Sequence, residues 1–81
     1  MLVDRKLAAC VNIVGPVQSI FLWKGEVQDS KETLLLIKTT EDRFPEIRDI
    51  LRAQHSYELP EIISIRIADG LPEYLAWMGE R

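Results

Sequence analysis

The sequence predicts an α+β domain built on an antiparallel sheet, and three observations carry that prediction. Stretches rich in Val, Ile, Leu, Phe and Trp fall at residues 10–24, 33–40 and 61–69, with the composition of strands. Between the second and the third lies one segment, residues 39–56, whose apolar positions recur at helical spacing. Turn and breaker residues stand at the joins: Gly15-Pro16, Gly25, Leu59-Pro60 and Asp69-Gly70.

Each element follows in order. The opening LVDRKLAA is made of good helix formers and reads as the last turns of a helix. CVNIVGPVQSIFLWKGEV then predicts a long strand, bent or bulged at Gly15-Pro16 because proline cannot donate to a ladder. Beyond that break Val17, Ser19, Phe21 and Trp23 share one face, and Gln18, Ile20, Leu22 and Lys24 the other. KGEVQDSKE reads as a polar hairpin region, and TLLLIKTT as a second strand, apolar on both faces and so suited to cover on both sides. The helix over TTEDRFPEIRDILRAQHS starts with a Thr or Asp available as a cap. It carries its apolar stripe at Phe44, Ile47, Ile50 and Leu51, and tolerates Pro45 only within its first turn. EIISIRIAD predicts a third strand with Ile63, Ile65 and Ile67 on one face. LPEYLAWMGER predicts a short closing helix with Pro72 near its first position and Leu71, Tyr74, Leu75 and Met78 along one side. Helix end, β, β, α, β, α is most of a split βαβ, ferredoxin-like unit, lacking the first strand.

Composition bounds the function. At 81 residues the chain is expected to be a single domain, residues 1–81, and 47% hydrophobic residues is more than so small a monomer needs. Surplus apolar surface points to oligomerisation. The net charge of −3 and the absence of a Lys/Arg run give nucleic-acid binding little support. No apolar run is long enough to span a membrane, and MLVDRKLAAC lacks the apolar centre of a signal peptide. A lone cysteine, Cys10, excludes an internal disulfide and fits a reducing cytosol. The scattered glycines form no phosphate loop, and no Ser-His-Asp or Cys-His spacing is present, so an enzyme is not expected.

The segments KLAACVNIV, SIFLWKGEV, LLLIKTTEDRF, HSYELPEIISI and YLAWM, in this order and spacing across the chain, resemble the CutA divalent-cation tolerance proteins. The resemblance implies a cytoplasmic, ferredoxin-like homotrimer in which long strands pair between subunits. It implies a role in tolerating copper and other divalent metals, a likeness to the P-II signalling trimers, and no firmly assigned catalytic activity. Against the family pattern the opening strand and most of the first helix are missing, together with a cysteine that some members carry on that strand and are proposed to use for copper. A shortened chain or a late start is expected, and the missing strand would lie inside the sheet. Ser56 stands where the family often has proline, and Gln54 where some members have a further histidine.

The segment QHSYELPEI, residues 54–62, concentrates the candidate chemistry and holds the chain's only histidine. His55, Glu58 and Glu61 are the candidate metal ligands, imidazole for copper or zinc and carboxylates for harder ions. Zinc wants about four ligands, so one histidine needs help, which a neighbouring subunit can give. The plainer reading carries more weight for His55: a helix-end residue that caps carbonyls or faces solvent. Glu58 fits a solvated turn somewhat better than a site, and Cys10 fits a small buried hydrophobe. Glu61 leans toward a site, since the resemblance places its Pro-Glu pair at a cleft between subunits. Lys38 is the natural cationic partner for such a carboxylate. Trp23 and Tyr57 are candidate walls of the same cleft, Trp23 alternatively plain trimer core. A polar cluster of Lys38, Glu61 and Tyr57 near Trp23 is therefore expected. A divalent cation is the expected ligand, with a small molecule in the subunit cleft or a ligand-free trimeric scaffold as the alternatives.

Overall fold

A computed structural model describes residues 2–79. Its organising element is a long antiparallel ribbon of two strands, β1 (Cys10–Trp23) and β2 (Glu26–Lys38). Between them only Lys24 and Gly25 form the turn, both with positive φ, 52° and 82°. That is the conformation a two-residue hairpin needs to match the twist of its strands, and Gly25 supplies it without steric cost. The hairpin is tighter than the sequence implies. The polar stretch 26–32, read as part of a hairpin region, pairs with Val17–Trp23. Ladder bonds come from the backbone, so a polar stretch facing a long apolar strand pairs as well as an apolar one.

The expected bulge is present. Val14 stands opposite Leu34 and Val17 opposite Glu32, so Gly15 and Pro16, joined by a cis peptide bond, together oppose Thr33. A Cβ at position 15 would lie 3.4 Å from the Thr33 Oγ1, an ordinary van der Waals contact.

The opening residues form a helix C-cap, in keeping with the expected helix end. Lys6 adopts φ 60°, its N–H bonds the Val3 carbonyl at 3.0 Å, and the Leu7 N–H reaches the Leu2 carbonyl at 2.9 Å. This is the Schellman pattern, and its usual apolar contact is made by Leu2 and Leu7, both buried. The cap is tied to the end of β2 by Ala9 N–H to the Lys38 carbonyl (2.9 Å) and Thr39 Oγ1 to the Leu7 carbonyl (2.6 Å).

A single 3-10 turn, Glu41–Arg43, leads into helix α1 (Phe44–Gln54), with Pro45 in its first turn as required. Thr40 does not cap that start. Its hydroxyl bonds the Asp42 carboxylate instead of a backbone amide. Of the predicted stripe, Ile47 is buried against Leu2, Leu7 and Ala8, with Ile50 and Leu51 packed beside it. Phe44 lies toward the rim, its ring 5.9 Å from the Arg48 guanidinium. Helix α2 (Pro72–Gly79) buries Met78, half-buries Leu75 and leaves Leu71, Tyr74 and Trp77 exposed.

The third strand expected over residues 61–69 is not formed. Residues 61–71 carry no helix or strand, and the sheet among the described residues is β1 with β2. A strand exists only against a neighbour, and here the alternating isoleucines meet none: Ile63, Ile65 and Ile67 are 65%, 83% and 55% exposed. The segment is tied down at one point by Arg66, whose guanidinium lies 2.7 Å from the Glu41 carboxylate. The observed order is thus an α+β arrangement with a two-stranded antiparallel sheet, and the ferredoxin-like pattern is incomplete.

Lys6 holds the left-handed position that glycine occupies in most such caps. Lys6→Gly is expected to raise stability by about 0.5–1 kcal/mol, the relief of Cβ strain exceeding the extra freedom of an unfolded glycine. Urea unfolding measures it, and a lower midpoint would refute the assignment of this cap.

Candidate functional site

The turn end of the ribbon makes the floor of an open cleft of about 890 Å³. By register Ser19, Phe21 and Trp23 share a face with Glu32, Ser30 and Gln28, the face that the alternation of β1 predicts, and all six line the cleft. The wall is the segment that follows α1, contributing Ser56, Tyr57, Glu58, Leu59 and Glu61. It turns away because His55 leaves helical geometry (φ −83°, ψ 142°) and Pro60 prevents continuation.

Tyr57 fastens the wall to the floor. Its hydroxyl lies 2.9 Å from the Ser30 Oγ, and it also hydrogen-bonds the Glu32 carboxylate. Both contacts are satisfied when Ser30 donates to the phenol oxygen and the phenol donates to Glu32. Ser19 gives Glu32 a second hydrogen bond. These bonds, Ser19 first and Tyr57 next, with a smaller contribution from the His55 charge, hold the Glu32 carboxyl below its ordinary range.

His55 is oriented by its own chain. The Tyr57 N–H donates to Nδ1 at 3.0 Å, and the two rings lie 4.7 Å apart. An Nδ1 that accepts carries no proton, so the neutral ring is protonated on Nε2. Coordination through Nε2 then requires the ring to move its proton and give up the Tyr57 amide.

The cleft is acidic. Glu32, Glu58 and Glu61 line it, while Asp29 borders it with its side chain on the other face of the ribbon, beside Gln18. Asp29 accepts two contacts from the Gln18 amide, at 3.0 and 3.1 Å, and Glu58 lies 3.6 Å from the Lys24 ammonium. Among the described residues no three His, Cys, Asp or Glu side chains converge to hold a metal ion. His55, Glu58 and Glu61 therefore do not form a closed ligand set within one chain.

Of the residues expected at a cleft between subunits, Trp23, Tyr57 and Glu61 line this cleft of the single chain. Lys38 lies elsewhere in the same chain: six residues beyond Glu32 along β2, it is about 20 Å away at the usual strand rise. Its ammonium bonds the Asn12 side-chain oxygen across the ribbon. Cys10 is half-buried opposite Lys38, also away from the cleft. The sequence reading missed Ser19, Ser30 and Glu32. Ser19 and Glu32 sit near each other because the two-residue turn sets their register, and the polar stretch 26–32 was a usable signal.

The ribbon, helix α1 and an acidic cleft with aromatic walls describe a small α+β protein with one open face. The CutA1 divalent ion tolerance protein family matches the chain over residues 1–81. A divalent-cation tolerance protein CutA from Thermus thermophilus is 49% identical over 79 residues, covering 98% of this chain and 77% of the relative. A CutA homolog from Xenopus laevis is 44% identical over 98% of this chain, which spans 52% of that longer protein. Among solved structures, the Thermus thermophilus Cut A1 protein superposes with a TM-score of 0.91, covering 96% of this chain and 76% of its own. A protein from Nostoc described as PII-like, in apo form, superposes at 0.86 with 35% identity, covering 96% and 76%. The chain belongs to the CutA1 divalent ion tolerance protein family.

Tyr57→Phe removes one of the donors to Glu32. The Glu32 carboxyl should then titrate higher, nearer its ordinary 4.5, in a carbon-detected NMR titration. A depressed folded-state value stabilises the protein above the unfolded value and loses that contribution as pH falls. The stability gap between wild type and Tyr57→Phe should therefore be present above about pH 4.5 and narrow below it. An unchanged Glu32 titration would show that the phenol does not donate to it.

Proposed function

We propose that the protein acts in divalent-cation tolerance as a cytoplasmic homotrimer that binds copper or a similar divalent cation loosely in its cleft. The observation that carries this reading is the lining itself, in which Glu32, Glu58 and Glu61 border one open space. Carboxylates grouped around low-dielectric walls raise the local concentration of cations and repel anions. Membership of a divalent ion tolerance family supports the same reading. Glu58 and Glu61 supply oxygen donors, and His55 joins them when its Nδ1 releases the Tyr57 amide. The remaining donors come from a neighbouring copy, because one chain does not close the set. The trimer itself is supported by the exposed apolar ribbon: Ile13, Ile20, Leu22, Val27 and Leu34–Leu36 are left open in a single chain. No helix among the described residues is long and apolar enough to cross a membrane. Binding, with no catalytic step, is the proposed activity.

A second reading has its own support. The cleft is large enough for a small molecule and has Trp23, Phe21 and Tyr57 in its lining, and a relative of similar structure is described as PII-like. A P-II-like sensor of this kind would take a cationic or amphipathic ligand, since the acidic lining disfavours an anionic one.

Native mass spectrometry of the purified chain with and without copper separates the readings. The expected result is a trimer that takes up roughly one copper per subunit, about four donors being shared between copies. Uptake should weaken in His55→Ala and be lost in the double variant Glu58→Gln, Glu61→Gln. Undiminished copper in the double variant, or a monomer, would overturn the proposal. A metal-free trimer whose melting temperature rises with a small cationic molecule would favour the sensor.

A further inference from the structure

The carboxylates of the cleft differ in what holds them. Glu32 is held by the neutral hydroxyls of Ser19 and Tyr57. Glu58 is held by a cation. The Lys24 ammonium lies 3.6 Å from the Glu58 carboxylate and 5.5 Å from the centroid of the Trp23 ring. Trp23 and Glu58 both line the cleft. An aromatic face and a carboxylate together make a seat for a positive charge, and in this molecule the chain's own lysine sits in it.

The position is built by the backbone. Lys24 is the first residue of the two-residue turn and takes a left-handed φ of 52°, which a lysine adopts at some cost. An Asn or a Gly fits that place better. The turn thus puts an ammonium beside the last residue of β1 and against the wall of the cleft.

We propose that Lys24 is an internal competitor for the cleft. It occupies the Trp23–Glu58 seat and must be displaced before a divalent cation can use Glu58, so it sets the cation concentration at which the cleft fills. The inference rests on the reading of the cleft as a cation site. Both Lys24 and Glu58 are largely solvent-exposed, 70% and 74%, so the competition is modest and sensitive to salt. Removing the ammonium should tighten cation binding by about three- to tenfold, the range of an exposed ion pair together with an exposed cation–π contact.

The test is copper titration of the full chain, followed by calorimetry and by quenching of Trp23 in a Trp77→Phe background. Lys24→Met should bind copper about three- to tenfold tighter than its parent. Lys24→Gln repeats the measurement with a polar side chain of similar reach, should the methionine variant fold poorly. Lys24→Arg keeps the charge and should restore the weaker parental affinity, which a purely structural role for the turn would not predict. Added sodium chloride should shrink the gap between Lys24→Met and the parent. If the parent binds copper and neither neutral variant binds it more tightly, the role of Lys24 is refuted and the cation site stands. If copper binds none of the variants, the cation reading of the cleft falls and this proposal falls with it.

Discussion

The pairing of β1 with β2 positions both halves of the molecule. At one end of the ribbon Val11 and Ile37 lie opposite each other and give Leu2, Leu7, Ala8 and Ile47 a surface to pack on. At the other end the same ladder brings Ser19, Ser30 and Glu32 together as the floor of the cleft. An isolated two-stranded ribbon is marginal in water. Here the helix-side end leans on α1 and the N-terminal cap, while the turn end leans mainly on Tyr57. Apolar side chains such as Leu22 and Val27, 70% and 74% exposed, contribute nothing there until something covers them. The homotrimer proposed above would provide that cover and join the stability of the cleft to that of the assembly.

Elements whose signals are local were legible in the sequence. The amphipathic stripe of α1, Pro45 in its first turn, the bulge at Gly15-Pro16 and the stop before Pro60 each depend on a few neighbouring residues, and each has its place in the structure. Two strand extents were not legible, for one reason. The polar residues 26–32, read only as a hairpin region, form half of β2, and the apolar residues 61–69, expected as a strand, form none. In both, side-chain character was a poor guide because strand formation depends on an available partner. Residues 26–32 have one in Val17–Trp23, and residues 61–69 have none in a single chain.

The cleft was legible in part. Trp23, Tyr57 and Glu61, read as parts of a cleft between subunits, line one cleft within the single chain, since alternation along β1 and the helix stop at His55 bring them near each other. Within one chain Lys38 stands at the far end of the ribbon, because an apolar run that ends in lysine says nothing of how far along the ribbon that end lies. The tautomer of His55 and the partners of Glu32 are decided by tertiary contacts and have no sequence signature.

The bulge at Gly15-Pro16 has a consequence for which side of the ribbon carries chemistry. Moving from Leu34 to Glu32 takes two steps along β2, while the matching move from Val14 to Val17 takes three along β1. Side chains alternate from residue to residue, so parity inverts at the break. Asn12 and Val14 share a surface with Ser19, Phe21 and Trp23, even numbers with odd. The pairing at the turn end is set by the two-residue hairpin, which keeps Ser19 opposite Ser30 whatever stands at the bulge. What the extra residue decides is which side chains of the helix-side half continue that surface: with unbroken alternation Val11 and Ile13, not Asn12 and Val14, would lie in line with Ser19 and Phe21. One supernumerary residue thus deals the two halves of a single strand to opposite sides.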